Sequence, residues 1–199
     1  MIAIVDYGAG NLVSVKKAID WLGYECVITS DRADVARAEK IVLPGVGHFA
    51  STSSLAVSGL SDQIQHSIGE GIPFLGICVG MQWMFQGSAE SPETKGLGLL
   101  PGECERFPPT VKSPHVGWNS LSVRSSSRLF RGVPSSPFVY FTHSFRAPVD
   151  ETTVACCQYG GEFSAAVERN HVFGVQFHPE KSGETGLALL RNFLRILTC

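Results

Sequence analysis

What the chain has little of narrows it before anything else does. Its 199 residues carry 16 lysines and arginines against 18 aspartates and glutamates, a net charge of −2. That balance offers no basic surface for nucleic acid or for an anionic membrane. No apolar run approaches the ~18 residues of a membrane-crossing helix. Met1-Ile2-Ala3-Ile4-Val5 is apolar and lacks the basic stretch of a secretion signal. It is expected to form the first strand of a cytoplasmic protein. The six cysteines (Cys26, Cys78, Cys104, Cys156, Cys157 and Cys199) include no C-x-x-C pair and no zinc spacing. They are expected as free thiols, with no metal. His-Glu-x-x-His is missing, which argues against a metalloprotease, and no paired carboxylates suggest a glycosidase. Gly8 and Gly10 lack the third glycine of a dinucleotide fingerprint, because Val13 holds that position. No cofactor is therefore expected. The length suits one domain over residues 1–199 with a full core.

What the chain does have centres on residues 72–82, Ile-Pro-Phe-Leu-Gly-Ile-Cys-Val-Gly-Met-Gln. Residues 73–77 have the length and composition of a buried parallel strand. Cys78 follows, with Gly76 two residues before it and Gly80 two residues after. Gly-x-Cys-x-Gly is the cysteine form of a nucleophile elbow. A nucleophile on a sharp strand-to-helix turn sits in strained backbone, and the positions two away approach too closely for a Cβ. Residues 81–85 are expected to continue as a helix whose N-terminus points at the sulfur.

Strands and helices alternate from residue 1 to about 85. Residues 2–5, 26–29, 41–43 and 73–77 read as strands. Leu12, Val15, Ile19 and Leu22 repeat at helical spacing, with Asn11 as N-cap and Gly23 as stop. Residues 30–38 read as a short helix, and Leu60, Ile64 and Ile68 mark another, closed by Gly71. The pattern predicts an α/β fold, with an open, mostly parallel central sheet flanked by helices. The second half is strand-rich. Residues 121–124, 138–145, 154–158, 164–168 and 172–178 read as strands, and residues 124–137 as a polar surface link. The chain closes on a helix with Leu187, Leu190, Leu194 and Leu197 as its apolar stripe.

A thiol nucleophile needs a base, and the base needs an orienting acceptor. Residues 175–180, Val-Gln-Phe-His-Pro-Glu, supply both. Pro179 holds His178 extended, and in an extended segment Glu180 shares its face. An oxyanion donor is expected from a loop at the carboxyl end of another strand. Pro44-Gly45-Val46-Gly47-His48-Phe49 is such a loop, although alone it is only a turn signal. His66 and His171 read as exposed. His143-Ser144 ends an aromatic strand and could donate to a ligand or be an ordinary polar pair.

These residues resemble the triad-type, class I glutamine amidotransferases, whose flavodoxin-like sheet the pattern matches. The elbow and the Phe177-His178-Pro179-Glu180 segment are that family's two signatures, in its order. Within the family the chain is most similar to the glutaminase subunits of imidazole glycerol phosphate synthases. Residues 6–11, 44–49, 114–119 and 140–145 carry this likeness, and the last two stretches separate it from sibling glutaminases. The resemblance implies that Cys78 attacks glutamine, His178 shuttles the proton and Glu180 orients His178. It implies oxyanion donors at Val79 and at Val46 or Gly47, and a glutamine site formed by Gln82, Glu90, His143 and Ser144. It implies a (β/α)₈-barrel cyclase partner in a heterodimer. Asn11, Trp118 (in a Gly-Trp-Asn turn), Tyr140 and Lys181 would lie on the rim facing that partner. Two alternatives stay open: a glutaminase serving pyridoxal phosphate or aminobenzoate synthesis, and a non-catalytic binding subunit on the same scaffold.

Overall fold

The computed structural model describes residues 1–124 and 127–197. Part of the expected 124–137 link, and Cys199, lie outside the described residues. The first half follows the alternation: β1 (Ile2–Val5), α1 (Leu12–Trp21), β2 (Cys26–Thr29), α2 (Arg32–Ala36) and β3 (Lys40–Gly45). Then come α3 (Ser53–Val57), α4 (Leu60–Gly69), β4 (Phe74–Cys78) and α5 (Val79–Gln82). The second half holds β5 (Gly87–Ser88), β6 (Glu103–Arg106), β7 (His115–Ser120), β8 (Ser122–Val123), β9 (Phe138–His143) and β10 (Phe145–Arg146). It ends with β11 (Thr153–Gln158), β12 (Glu162–Arg169), β13 (Val172–Val175) and α6 (Gly183–Leu194).

Eight strands form one mixed sheet in the order β2-β1-β3-β4-β13-β12-β11-β8. The five from β2 to β13 run parallel, and β12, β11 and β8 add an antiparallel edge. Strands β1, β4 and β13 are buried at every residue, as strands covered on both faces must be. The flanking helices form two groups: α1 packs on α6, and α4 packs on α2 and α3. No helix among the described residues is long and apolar enough to cross a membrane.

The topology brings distant pieces of sequence together at one end of the sheet. Strands β3, β4 and β13 are neighbours, with Gly45 opposite Cys78 and Ile77 opposite Val175. The loop at 44–47, the cysteine and the histidine segment therefore all leave adjacent parallel strands at their carboxyl ends. Ligands of open α/β sheets bind at this edge.

Several local expectations differ from what is observed. The helix after Cys78 is a single turn. Its would-be continuation is taken by a loop, because Leu97, Leu100 and Gly98 donate their N–H groups to the carbonyls of Trp83, Met84 and Phe85. The aromatic strand expected over residues 138–145 is two strands in different sheets. β9 pairs with β7, and β10 pairs with β6, with Ser144 as the break. The Gly-Trp-Asn segment is not a turn but part of β7, with Trp118 opposite Tyr140. Asn11 stands at the N-cap position of α1 without a side-chain capping bond. The terminal helix ends at Leu194, and its buried face is Gly186, Leu189, Leu190, Phe193 and Leu194; Leu197 is exposed. His171 is half-buried, with Nε2 2.6 Å from the Ile68 carbonyl oxygen.

Candidate active site

Cys78 has φ +55° and ψ −110°. Among the described non-glycine residues only Asn170 shares a positive φ. A β-carbon makes that backbone costly, so the surroundings must enforce it. The two glycines are part of the enforcement. A Cβ on Gly76 would sit 2.5 Å from the Gly80 carbonyl oxygen, and one on Gly80 would overlap the Leu43 carbonyl oxygen. Strand β4, the turn and strand β3 are packed backbone to backbone here, which is what turns Cys78 outward.

The sulfur opens into a cavity of about 230 Å³ lined by Val46, Gly47, Cys78, Val79, Gln82, Glu90, His143 and Ser144, among others. The structure thus gathers the expected oxyanion and glutamine residues around the nucleophile. Among the described residues the N–H groups of Val46 and Gly47 reach no backbone carbonyl. Glu90 Oε2 accepts from the Phe49 N–H at 2.8 Å, which pins its carboxylate at the cavity. The His143 ring, by contrast, is not available to a ligand. Its Nδ1 lies 2.8 Å from the Phe145 carbonyl oxygen and its Nε2 3.1 Å from His115 Nδ1. Burial pushes the His143 imidazole down to about 3 and that of His115 down to about 4. Both rings are therefore neutral near pH 7. His143 and Ser144 line the cavity where β9 breaks into β10.

Behind the sulfur stands the base. His178 Nδ1 lies 3.0 Å from Glu180 Oε1, and the two side chains are 1% and 0% exposed. The same oxygen accepts from Asn11 Nδ2 at 3.1 Å. Glu180 arrives by a different route from the expected extended segment. Strand β13 stops at Val175, and Pro179–Lys181 is a 3₁₀ turn that swings the carboxylate back under the ring. The His178 backbone is held to β9: its N–H donates to the Tyr140 carbonyl oxygen, and Ser182 Oγ bridges the His178 oxygen and the Tyr140 N–H. Burial alone would lower the His178 imidazole and raise the Glu180 carboxyl. The Cys78 sulfur on one side and the Glu180 carboxylate on the other reverse this for His178, and the His178 ring, with the Asn11 amide, reverses it for Glu180. His178 is raised from its ordinary value near 6.5 to about 9, and Glu180 is held below the ordinary carboxylate value.

Five buried side-chain atoms among the described residues have no hydrogen-bond partner, and three belong here: Tyr7 Oη, His178 Nε2 and Glu180 Oε2. Unpaired buried polar atoms are rare in folded proteins, and their gathering marks a place built for chemistry. Tyr7 keeps its proton, because burial and the neighbouring Cys78 sulfur both push its phenol up. No cluster of three or more His, Cys, Asp or Glu among the described residues is arranged to hold a metal ion.

The raised imidazole has a direct test. A histidine with a raised folded value stabilises the protein fully below its unfolded value near 6.5, and this contribution is lost as pH rises through about 9. An NMR titration should therefore place the His178 midpoint near 9 in the intact chain. Glu180→Gln and Cys78→Ala should each move it downward, since burial then dominates. A midpoint near 6.5, indifferent to both substitutions, would rule out the ion-paired arrangement.

Of the four residues expected on a partner-facing rim, Trp118 and Lys181 are exposed and Asn11 and Tyr140 are half-buried. Trp118 is 56% exposed and its ring lies 6.1 Å from that of Tyr140, over which Lys181 Nζ sits at 5.9 Å. Asn11 is half-buried, with its amide turned inward to Glu180. Sequence reasoning missed that contact, because nothing local to residue 11 points to residue 180.

Comparison with known proteins agrees with this geometry. Residues 3–197 match the family model described as glutamine amidotransferase class-I. The imidazole glycerol phosphate synthase subunit HisH of Moorella thermoacetica is 46% identical over 195 residues, covering 96% of this chain and 93% of that one. The subunit of the same name from Methanothermobacter thermautotrophicus is 46% identical, with 99% of each chain covered. A crystal structure of a glutamine amidotransferase superposes with a TM-score of 0.77 at 21% identity, covering 98% of this chain and 97% of the other, which speaks for the fold. The chain belongs to the class I glutamine amidotransferase family, and within it to the HisH subunits of imidazole glycerol phosphate synthase.

Proposed function

We propose that this chain, acting as one domain over residues 1–199 in the cytoplasm, hydrolyses glutamine through Cys78, His178 and Glu180. It hands the ammonia to a (β/α)₈-barrel cyclase subunit in a heterodimer. The cyclase uses that ammonia to make imidazole glycerol phosphate and AICAR in histidine biosynthesis. The observation that carries this reading is the cavity in which Cys78 meets Gln82, Glu90 and residues 142–145, with the His178–Glu180 pair behind it.

Each residue has a part that its surroundings permit. Cys78 attacks the side-chain carbonyl carbon of glutamine, and the Val79 N–H, with that of Val46 or Gly47, receives the oxyanion. Imidazolium His178 gives its proton to the leaving amine, which departs as ammonia and leaves a thioester. Neutral His178 then takes a proton from water, the hydroxyl adds to the thioester carbon, and glutamate leaves as the thiol re-forms. Glu180, steadied by Asn11, holds the ring tautomer throughout. Glu90 supplies the anion for the α-ammonium group of the substrate. Gln82 spends its amide N–H₂ on Phe145 and Gln176, so it meets the substrate through its oxygen.

Ammonia released into water near pH 7 is protonated and no longer nucleophilic, so a closed junction is required. Exposed Trp118, half-buried Tyr140 beside it and exposed Lys181 provide aromatic anchors and a cation for it. The test is glutaminase turnover with and without the barrel cyclase and its nucleotide ligand. A rise of about tenfold or more is expected when both are present, and Trp118→Ala or Lys181→Ala should weaken it. Full-speed hydrolysis by the isolated chain, indifferent to both, would make it a stand-alone amidase.

A further inference from the structure

One side chain at the nucleophile has no part in the mechanism above. Gln176 is fully buried, and its Nε2 lies 3.6 Å from Cys78 Sγ. Which end of its amide faces the sulfur follows from a backbone atom several bonds away. The Phe145 carbonyl oxygen can only accept. Gln82 Nε2 must therefore be the end that reaches it, at 3.0 Å. That same nitrogen lies 3.1 Å from the Gln176 amide, so the facing atom must be the acceptor Oε1. The other end, the N–H₂, is left pointing at the sulfur.

The His143 ring fixes the opposite arm in the same way. Its Nδ1 must carry the proton given to Phe145 oxygen, so Nε2 accepts from His115 Nδ1–H, and His115 Nε2 faces the Asn119 amide at 3.4 Å. Donors run from Asn119 through His115 and His143 to the Phe145 oxygen, where Gln82 converges from the other side, and the second hydrogen of Gln82 starts the arm through Gln176 to Cys78.

We propose that Gln176 is a further catalytic residue, a donor locked on the reacting sulfur that favours its charged form and holds it toward the cavity. The lock matters because a free amide could equally present its oxygen, which repels a thiolate. The Thr142 carbonyl oxygen, 3.9 Å from Sγ, accepts a hydrogen bond from the neutral thiol, and Gln176 donates to the form without a proton. The titratable groups facing the sulfur are His178, from the segment after β13, and Tyr7, from the turn after β1. Neither of them is hydrogen-bonded to Gln176. Gln82 thereby works in two directions, toward the substrate through its oxygen and toward the nucleophile through its nitrogen.

The inference rests on Cys78 being the nucleophile, and its test reads that separately. Iodoacetamide does not use the amino-acid end of the glutamine site, so loss of substrate contacts does not enter. The rate of Cys78 alkylation is followed against pH in the full chain, by peptide mapping. Gln176→Met keeps the volume and removes the donor. It should slow alkylation near pH 7 by about tenfold and displace the rate curve upward by about one pH unit, with the plateau at high pH retained. Gln82→Met, which frees Gln176 to rotate, should displace it the same way by less. A Gln176→Met curve that superimposes on the parent curve would overturn the proposal. If that variant does not fold, Gln176→Glu takes its place, and an unmoved curve for it and Gln82→Met overturns the proposal equally. Parent protein labelled mainly at Cys156 or Cys157 would instead sink the nucleophile assignment.

Discussion

Cys78→Ala should abolish glutamine-dependent synthesis by the complex, by at least about 10⁴-fold, while synthesis from added ammonium salt continues. The size follows from what is removed. Without the sulfur there is no thioester, and His178 has nothing to activate but water at the wrong distance from the substrate. The persistence of the ammonium route follows from the division of labour, since the triad makes ammonia and touches no nucleotide. Alanine keeps the β-carbon and hence the same backbone demand at position 78, so the elbow is not rebuilt. Equal loss of both activities in a variant that still binds the cyclase would show that this chain has a second part in the synthase reaction.

The second large effect is structural. Gly80→Ala places a methyl group on the Leu43 carbonyl oxygen, a contact of backbone with backbone that no rotamer change relieves. A loss of about 3–5 kcal/mol is expected, at the upper end for single substitutions. Gly69→Ala is the matched control. Gly69 closes α4 with open space where the Cβ would go, so a small gain of about 0.5 kcal/mol is expected there. Urea unfolding of the two variants should separate them by about 3.5–5.5 kcal/mol. Equal stability would mean that β3 and the Cys78 turn are not packed as described.

The elbow was legible because its requirements are local. Two glycines at fixed offsets from a cysteine, after an apolar run, state a close approach without naming the partner backbone. The alternation of strands and helices was legible for the same reason, since each helix carries its own stripe and stop signal. What was not legible is whatever a distant segment decides. The helix after Cys78 is one turn long because Leu97–Leu100 takes its carbonyls. The helical stretch from Phe49 to Val57 was not anticipated, since Ser51, Thr52, Ser53 and Ser54 give no apolar stripe, and here their hydroxyls back-bond to carbonyls three residues earlier. His143 looked like a ligand donor, and only the pairing of β7 with β9 shows His115 waiting opposite to consume its ring nitrogen. The pairing of His178 with Glu180 was correctly anticipated, but through an extended segment, where the chain uses a 3₁₀ turn.

The positive φ of Cys78 sets folding and reaction against each other at one residue. A chain selected for stability alone would put glycine there, as it does at Gly8, Gly23 and Gly47. Keeping a side chain in left-handed backbone is a standing cost, borne by the rest of the core in every molecule whether or not glutamine is present. Position 78 is therefore where the fold and the reaction ask for different residues, and the reaction has prevailed.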